Sequence, residues 1–379
     1  MKPPRILFTG GGTAGHVTPN LALIEGLREA GWDVHYAGSR DGIERRIIEP
    51  LGVTYHTLPT GKLRRYLSLE NLLDAFRVLA GIFAGWRLAR RLRPDVVFSK
   101  GGFVSVPVVL GARLARVPVL AHESDCSPGL ATRLVARWVA AVCTNFPDTQ
   151  VSGARRVLYT GTPLRPGLLA GSRAQGLVHA GLAGARPVLL VVGGSLGSQA
   201  LNACIRTALP RLLSHYEIIH ICGRGHVAPE AAMAGYAQFE FVAEPYRDLL
   251  AAADLVLSRA GANGLLELIQ ARKPTLLVPL GTAASRGDQI ENAAWAAGRG
   301  LARRVLEADL NEERLLAELS DLLSEKEALQ QRLAAFEVPD SERLLLALLE
   351  KLAGRGSTVE PGQRAASATA QRLDEPDSK

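Results

Sequence analysis

Two glycine-rich turns, each preceded by an apolar strand and followed by a helical pattern, set the main constraint on this chain. The first is Arg5-Ile-Leu-Phe-Thr9 running into Gly10-Gly-Gly-Thr13-Ala14-Gly15-His16-Val-Thr-Pro19. The second, about 180 residues later, is Pro187-Val-Leu-Leu-Val-Val192 running into Gly193-Gly-Ser195-Leu-Gly197-Ser-Gln199. Glycine permits the sharp turn and the close approach of an anion to main-chain N–H groups. The following helix offers unpaired N–H donors and a partial positive charge to that anion. One such turn suggests a single nucleotide-binding domain; two suggest paired α/β domains facing a shared cleft.

The alternation of short strands and helices supports that reading. Strands are expected at Ile6–Thr9, Val34–Ala37, Thr54–Leu58, Pro94–Ser99, Val117–His122, Ala140–Thr144 and Val157–Thr160. After a junction at Thr160-Gly-Thr-Pro163-Leu-Arg165-Pro166 the pattern restarts. Further strands are expected at Pro187–Val192, Ile218–Cys222, Phe239–Val242, Leu255–Ser258 and Thr275–Pro279. Helices over Asn311–Ala335 and Ser341–Leu352 follow. The expected fold is α/β, with two doubly wound parallel sheets whose ligands lie beyond the carboxyl ends of the strands. The expected domains are 1–163 and 164–353, with a polar tail over 354–379 whose composition is that of a disordered segment.

Length and composition bound the rest. At 379 residues and 47% hydrophobic content, the chain can bury two cores. Cys126, Cys143, Cys204 and Cys222 lack metal-ligand spacing and read as reduced structural thiols. The start of the sequence has no signal-peptide core, and no run reaches membrane-spanning length, so a cytosolic or cytosol-facing peripheral protein is expected. The net charge of +7 resides entirely in residues 1–150, which hold 19 Lys and Arg against 12 Asp and Glu. That half is expected to face something anionic.

Gly10, Gly12 and Gly15 formally satisfy G-x-G-x-x-G, a weak match on its own. The acidic residue that a dinucleotide site requires at the end of the second strand is missing there. The strand runs into His35-Tyr-Ala-Gly-Ser-Arg40, which disfavours an oxidoreductase. No G-x-x-x-x-G-K-[ST] run is present either. The basic half carries no recognised nucleic-acid motif.

Six stretches instead resemble the MurG family of glycosyltransferases. They are Gly11-Gly-Thr-Ala-Gly-His16-Val-Thr-Pro19, Phe98-Ser-Lys-Gly-Gly-Phe-Val-Ser-Val-Pro107, His122-Glu123-Ser-Asp125, Gly193-Gly-Ser-Leu-Gly-Ser198, Ser258-Arg-Ala-Gly-Ala-Asn-Gly-Leu-Leu-Glu267 and Ser285-Arg-Gly-Asp-Gln289-Ile-Glu-Asn292. The resemblance runs from about Ile6 to Leu352. It implies a GT-B fold and inverting transfer of N-acetylglucosamine from UDP-N-acetylglucosamine to the muramoyl 4-hydroxyl of lipid I, forming lipid II. The alternatives are a GT-B transferase acting on another lipid, such as diacylglycerol, and a UDP-sugar-binding regulator without turnover. Two positions depart from the family pattern: Ala14 replaces a glycine, and Asp125 stands where an asparagine amide is usual.

The resemblance also distributes roles. His16 is the leading base or acceptor-orienting residue, with Glu123 and Asp125 as competitors. Thr13, Ala14 and Gly15 line the acceptor side. Ser195 donates to the diphosphate, Arg165 neutralises a phosphate, Val242 places a main-chain group against the uracil, Glu267 accepts from the ribose hydroxyls, and Gln289 reads the sugar hydroxyls. Each also has an ordinary structural explanation, such as a helix cap for Ser195 or a first-turn dipole partner for Glu267. No cofactor or metal is expected, since no Asp-x-Asp pair of the GT-A kind occurs in the expected domains. The stretch Lys62–Arg91, with Phe76, Ile82, Phe83 and Trp86 among six arginines and Lys62, is expected to meet an anionic membrane on the cytoplasmic side. Cell-wall synthesis proteins are the other expected partners.

Overall fold

A computed structural model describes residues 2–59, 69–194, 197–282 and 285–354, without the side chains of Ala14 and residues 69–76. The first sheet comprises β1 (Arg5–Thr9), β2 (Asp33–Gly38), β3 (Thr54–Thr57), β4 (Val96–Ser99), β5 (Val119–Glu123), β6 (Ala141–Thr144) and β7 (Val157–Tyr159). The second comprises β8 (Val188–Val192), β9 (Glu217–Ile221), β10 (Tyr236–Phe239), β11 (Leu255–Ser258), β12 (Thr275–Leu277) and β13 (Arg303–Arg304). Every strand pairing is parallel, in the orders 3-2-1-4-5-6-7 and 10-9-8-11-12-13. The near-continuous apolar run Val188-Leu-Leu-Val-Val192 is what a strand covered on both faces requires. Each sheet accordingly has an apolar core on either side.

In each sheet the strand order reverses beside the first strand of the domain, and a crevice opens there. At the first reversal the turns after β1 and β4 touch. A Cβ on Gly102, whose φ is +78°, would sit 2.1 Å from the Gly11 carbonyl oxygen. The second sheet has a similarly close approach, between the turns after β8 and β9. A Cβ on Gly197, at φ +76°, would sit 2.1 Å from the Cys222 carbonyl oxygen.

Packing divides the chain differently from sequence order. The helix Ser341–Leu352, expected in the second domain, buries Leu345, Leu348 and Leu349 in the first domain's core beside Leu23, Leu27 and Val34. Phe146, from the first domain, joins the second core and stands edge-on to Trp295 at 4.7 Å. An apolar helix face docks wherever a complementary surface exists, and chain position does not say which sheet offers it. Smaller differences are local. The expected helix over Asn311–Ala335 is two helices, Glu312–Ser324 and Lys326–Ala335. Strand β10 lies earlier than expected and leaves Val242 in the following loop, and β13 had no recognisable pattern.

The helix Leu69–Leu92 packs on the helix Ser105–Leu114, burying Leu88 and Leu92 with Val108 and Val109. The approach is close: a Cβ on Gly111 would lie 2.4 Å from the Trp86 backbone nitrogen. Replacing Gly111 with alanine is therefore expected to destabilise the protein by about 1–3 kcal/mol through overpacking. Urea denaturation checks this, and an unchanged midpoint would refute the tight helix contact.

Candidate active site

The cleft floor on the first-domain side is built from charges that the chain itself satisfies. Glu44, fully buried, accepts from the Gly12 N–H at 3.3 Å, the Ser39 N–H at 3.0 Å and the Ser39 hydroxyl at 2.5 Å. Glu44 thus ties the first glycine turn to Ser39, beyond the end of β2. Gly10 accepts from the Tyr36 hydroxyl at 2.7 Å, which further fixes the turn.

His16 follows this turn in a short helix, Ala14–His16. Its ring Nδ1 is buried and has no hydrogen-bond partner. Burial pushes the imidazole below its ordinary value; Glu123 and Asp125 oppose that, while Lys100 and Arg286 reinforce it. The ring is therefore neutral near pH 7.

Glu123 ends β5 and is also buried, but its oxygens are engaged. Oε1 accepts from the Ser124 and Asp125 N–H groups at 2.9 and 3.1 Å, and Oε2 from the Gly129 N–H at 2.9 Å. Its carboxylate organises the loop 124–129. Lys100, on the turn after β4, places its ammonium 2.6 Å from His122 Nδ1. His122 Nε2 lies 2.9 Å from the Gly161 carbonyl oxygen. Burial and the adjacent lysine keep the His122 ring neutral, so Nε2 donates to Gly161 while Nδ1 accepts from Lys100. Burial also lowers Lys100 itself, to about 7, despite the nearby carboxylates of Glu123 and Asp125.

On the second-domain side, Ser198 caps the helix Gln199–Leu212 by accepting from the Leu201 N–H at 3.3 Å. Arg259, after β11, donates to the Ser198 hydroxyl at 2.6 Å and to Glu307 at 2.8 Å. Ser195 lies outside the described residues. Glu267 sits in the middle of the helix Ala262–Gln270, not in its first turn, so a role as a first-turn dipole partner does not apply. Its carboxylate is gripped bidentately by Arg165 at 3.0 and 2.6 Å. The Arg165 guanidinium also lies over the Tyr246 ring at 4.2 Å. Burial would lower Arg165, but the Glu267 hydrogen bonds and charge outweigh it and hold the guanidinium firmly protonated.

The two sides meet directly. Asn263 donates to the Gly15 carbonyl at 2.8 Å and accepts from Asn145 and Thr162 at 3.2 Å each. Asp125 accepts from Arg286 at 2.6 Å and from Asn292 at 3.1 Å. Gln289, in the first turn of the helix Asp288–Gly298, accepts from the Leu280 N–H at 3.0 Å. Thr13 is exposed and its carbonyl accepts from the His16 N–H; Val242 is buried in the loop after β10. The structure therefore gathers His16, Glu123 and Asp125 on one side of the cleft and joins Arg165 to Glu267 on the other. Lys100, Glu44, Asn263 and Arg286 had no assigned role in the sequence reading. Lys100 and Arg286 each stand beside glycine, inside motifs already recognised, and that position was the available signal.

Comparisons with known proteins agree across the chain. Residues 6–144 match the glycosyltransferase family 28 N-terminal domain, and residues 188–345 match the glycosyltransferase family 28 C-terminal domain. The chain is 46% identical over 353 residues to a protein of Legionella pneumophila strain Lens, covering 92% of this chain and 97% of that one. It is 47% identical over 352 residues to one of Geobacillus kaustophilus, covering 92% and 99%. Both relatives are named UDP-N-acetylglucosamine–N-acetylmuramyl-(pentapeptide) pyrophosphoryl-undecaprenol N-acetylglucosamine transferase. Among solved structures, MurG of Acinetobacter baumannii superposes with a TM-score of 0.73 at 28% identity, covering 92% of this chain and all of that one. The glycosyltransferase VinC, solved with dTDP, shares the fold at a TM-score of 0.61 and 19% identity, with 93% and 100% covered.

The buried lysine gives a pH signature. The unfolded chain keeps Lys100 protonated up to about 10.5, whereas the folded protein releases that proton near 7. Across that interval the unfolded state binds more protons, so this group makes stability rise with pH and withdraws that gain as pH falls to 7. Lys100→Met is expected to flatten this rise. Denaturation curves at successive pH values test it, and an unchanged slope would refute it.

Proposed function

The chain belongs to glycosyltransferase family 28, and on that footing we propose how its cleft carries out the family's chemistry. The activity is transfer of N-acetylglucosamine from UDP-N-acetylglucosamine to lipid I, giving lipid II for peptidoglycan synthesis. Identity of 44–47% with transferases of that name, over nearly the whole of both chains, carries this conclusion.

In the reaction the muramoyl 4-hydroxyl attacks the anomeric carbon from the face opposite the diphosphate. The new C1–O4 bond forms as the C1–phosphate oxygen bond breaks, its electron pair leaves with UDP, and configuration inverts. His16 takes the hydroxyl proton on its free ring nitrogen. The carboxylates of Glu123 and Asp125 favour the resulting imidazolium, as they already raise the histidine against its burial. Glu123 does this while holding the loop 124–129, and proton abstraction falls to His16 because Glu123's oxygens are committed to three N–H donors.

On the donor side Glu267 accepts from the ribose hydroxyls, Gln289 reads the sugar, Val242 offers main-chain groups to the uracil, and Ser195 donates to the diphosphate. Arg165 supplies positive charge to the departing diphosphate. Since Arg165 now grips Glu267, donor binding exchanges one partner for another on each side: ribose for the carboxylate, phosphate for the guanidinium. Thr13, Ala14 and Gly15 border the acceptor. UDP-N-acetylglucosamine and lipid I are the substrates, and anionic lipid is the surface on which the enzyme works.

Support for the membrane contact comes from the helix Leu69–Leu92. One face is core, yet Leu79 and Phe83 are 62% and 60% exposed, and Leu114 on the neighbouring helix is 64% exposed. Arg87, Arg90, Arg91, Arg113 and Arg116 are exposed around them. Lys62–Leu67 and the Phe76 side chain lie outside the described residues. Among the described residues, no helix is long and apolar enough to cross a membrane. Apolar side chains entering the headgroup layer with cations on its anionic surface describe peripheral binding at the cytoplasmic face, each cation adding about 1 kcal/mol at low salt.

A radiolabel assay with UDP-N-acetylglucosamine and a short-chain lipid I analogue, with and without EDTA, tests the whole reading. Chelator-resistant lipid II formation is expected, and binding of the UDP-sugar without transfer would overturn the acceptor. His16→Ala is expected to lower the single-turnover rate by about 10²–10⁴-fold while donor affinity stays within a few-fold. A rate within threefold of wild type would remove His16 as the base. Phe83→Glu is expected to reduce co-sedimentation with anionic vesicles by roughly tenfold. Equal sedimentation of the two proteins would refute the docking face.

A further inference from the structure

The loop 124–129 belongs to the first domain, yet two side chains of the second hold it. Arg286 donates to Asp125 Oδ2 at 2.6 Å and to the Ser127 carbonyl at 3.4 Å. Asn292, fully buried, donates to Asp125 Oδ1 at 3.1 Å and to the Ala260 carbonyl at 3.1 Å, and its own oxygen accepts from the Cys126 N–H at 3.0 Å. The side chains of Asp125 and Arg286 are 15% and 29% exposed, so their ion pair is screened less than a surface pair. At its root the same loop is fastened by Glu123.

What lies at the other end of these contacts is the donor-sugar element. Gln289 and Asn292 are three residues apart on the helix Asp288–Gly298 and share a face; Arg286 is in the turn that leads into it. Arg286 and Asn292 therefore grip this helix on either side of Gln289. Any shift of the helix start carries Gln289 and its bond to Leu280 with it.

The identity of residue 125 fits this arrangement. A carboxylate accepts from Arg286 on one oxygen and from Asn292 on the other. An amide has a single acceptor oxygen, so it cannot serve both donors in that way.

We propose that Asp125, Arg286 and Asn292 form a clasp across the cleft that positions Gln289, so that the acceptor-side domain helps to shape the donor-sugar pocket. These are positioning residues: they act through the helix and the loop, not on the reacting atoms. Asp125 is then a partner of the second domain, where the sequence reading made it a competitor of His16 for the base. The inference rests on the transferase reading for the identity of the sugar nucleotide and for Gln289 as its sugar contact.

The test compares wild type, Asp125→Asn, Arg286→Gln, the double variant and the charge-exchanged pair Asp125→Arg with Arg286→Asp. Calorimetry measures binding of UDP-N-acetylglucosamine and of UDP, which lacks the sugar that Gln289 meets. Each single variant is expected to weaken UDP-N-acetylglucosamine about tenfold and UDP less than about twofold, with the double variant no weaker than the worse single one. The exchanged pair should recover part of the loss. Wild-type affinity in the single variants, equal losses for UDP and the UDP-sugar, or losses that multiply in the double variant would each overturn the clasp. Wild type that binds the UDP-sugar but does not transfer it would overturn the lipid I reading and leave the clasp to be judged by binding. The same cycle in chemical denaturation reads the pair without ligand, and additive destabilisation there would overturn the clasp even if wild type bound no UDP-sugar.

Discussion

Backbone passing backbone at the carboxyl ends of the strands in both sheets is the constraint on which the rest of the structure depends. Gly102 lies against the Gly11 carbonyl and Gly197 against the Cys222 carbonyl at distances that leave no room for a Cβ, both at positive φ. Such contact brings the turns after β1 and β4 together, and does the same for the turns after β8 and β9. Any side chain there would force these turns apart.

Over that backbone the cleft is lined with buried charges whose partners are already in place. Glu44 is held by the first glycine turn, Glu123 by the loop it organises, Lys100 by His122, and Arg259 by Ser198 and Glu307. Buried charges are tolerated only when paired or hydrogen-bonded, and once paired they resist displacement. His16 differs: its buried Nδ1 has no partner. The Arg165–Glu267 pair differs again, because both members are expected to exchange partners when the donor arrives.

The domains are interlocked rather than merely tethered. Phe146 reaches into the second core, the helix Ser341–Leu352 returns to the first, and Asn263 links Gly15, Asn145 and Thr162. Asp148 adds a bond to Trp295 at 2.9 Å. A cleft assembled from two domains needs this, since the acceptor and the donor must meet within a fraction of an ångström for displacement to proceed.

Strand–turn–helix alternation, two glycine turns and the ordered motifs around them are local properties, so the sequence by itself determined the α/β class, the two sheets and the family. It also singled out His16, Arg165 and Glu267, because motifs carry residue types at fixed spacing. Only the tertiary structure decided what those residues touch. Arg165 and Glu267 are 102 positions apart and Asp125 and Arg286 are 161 apart, and no periodicity links such pairs. Nor does composition reveal that Lys100 loses its solvent, that Glu123 is consumed by loop N–H groups, or that the last helix packs on the first sheet. The physical reason is the same in each case: burial and pairing depend on what the rest of the chain brings alongside. A residue's chemistry is written locally, and its environment is set by the fold.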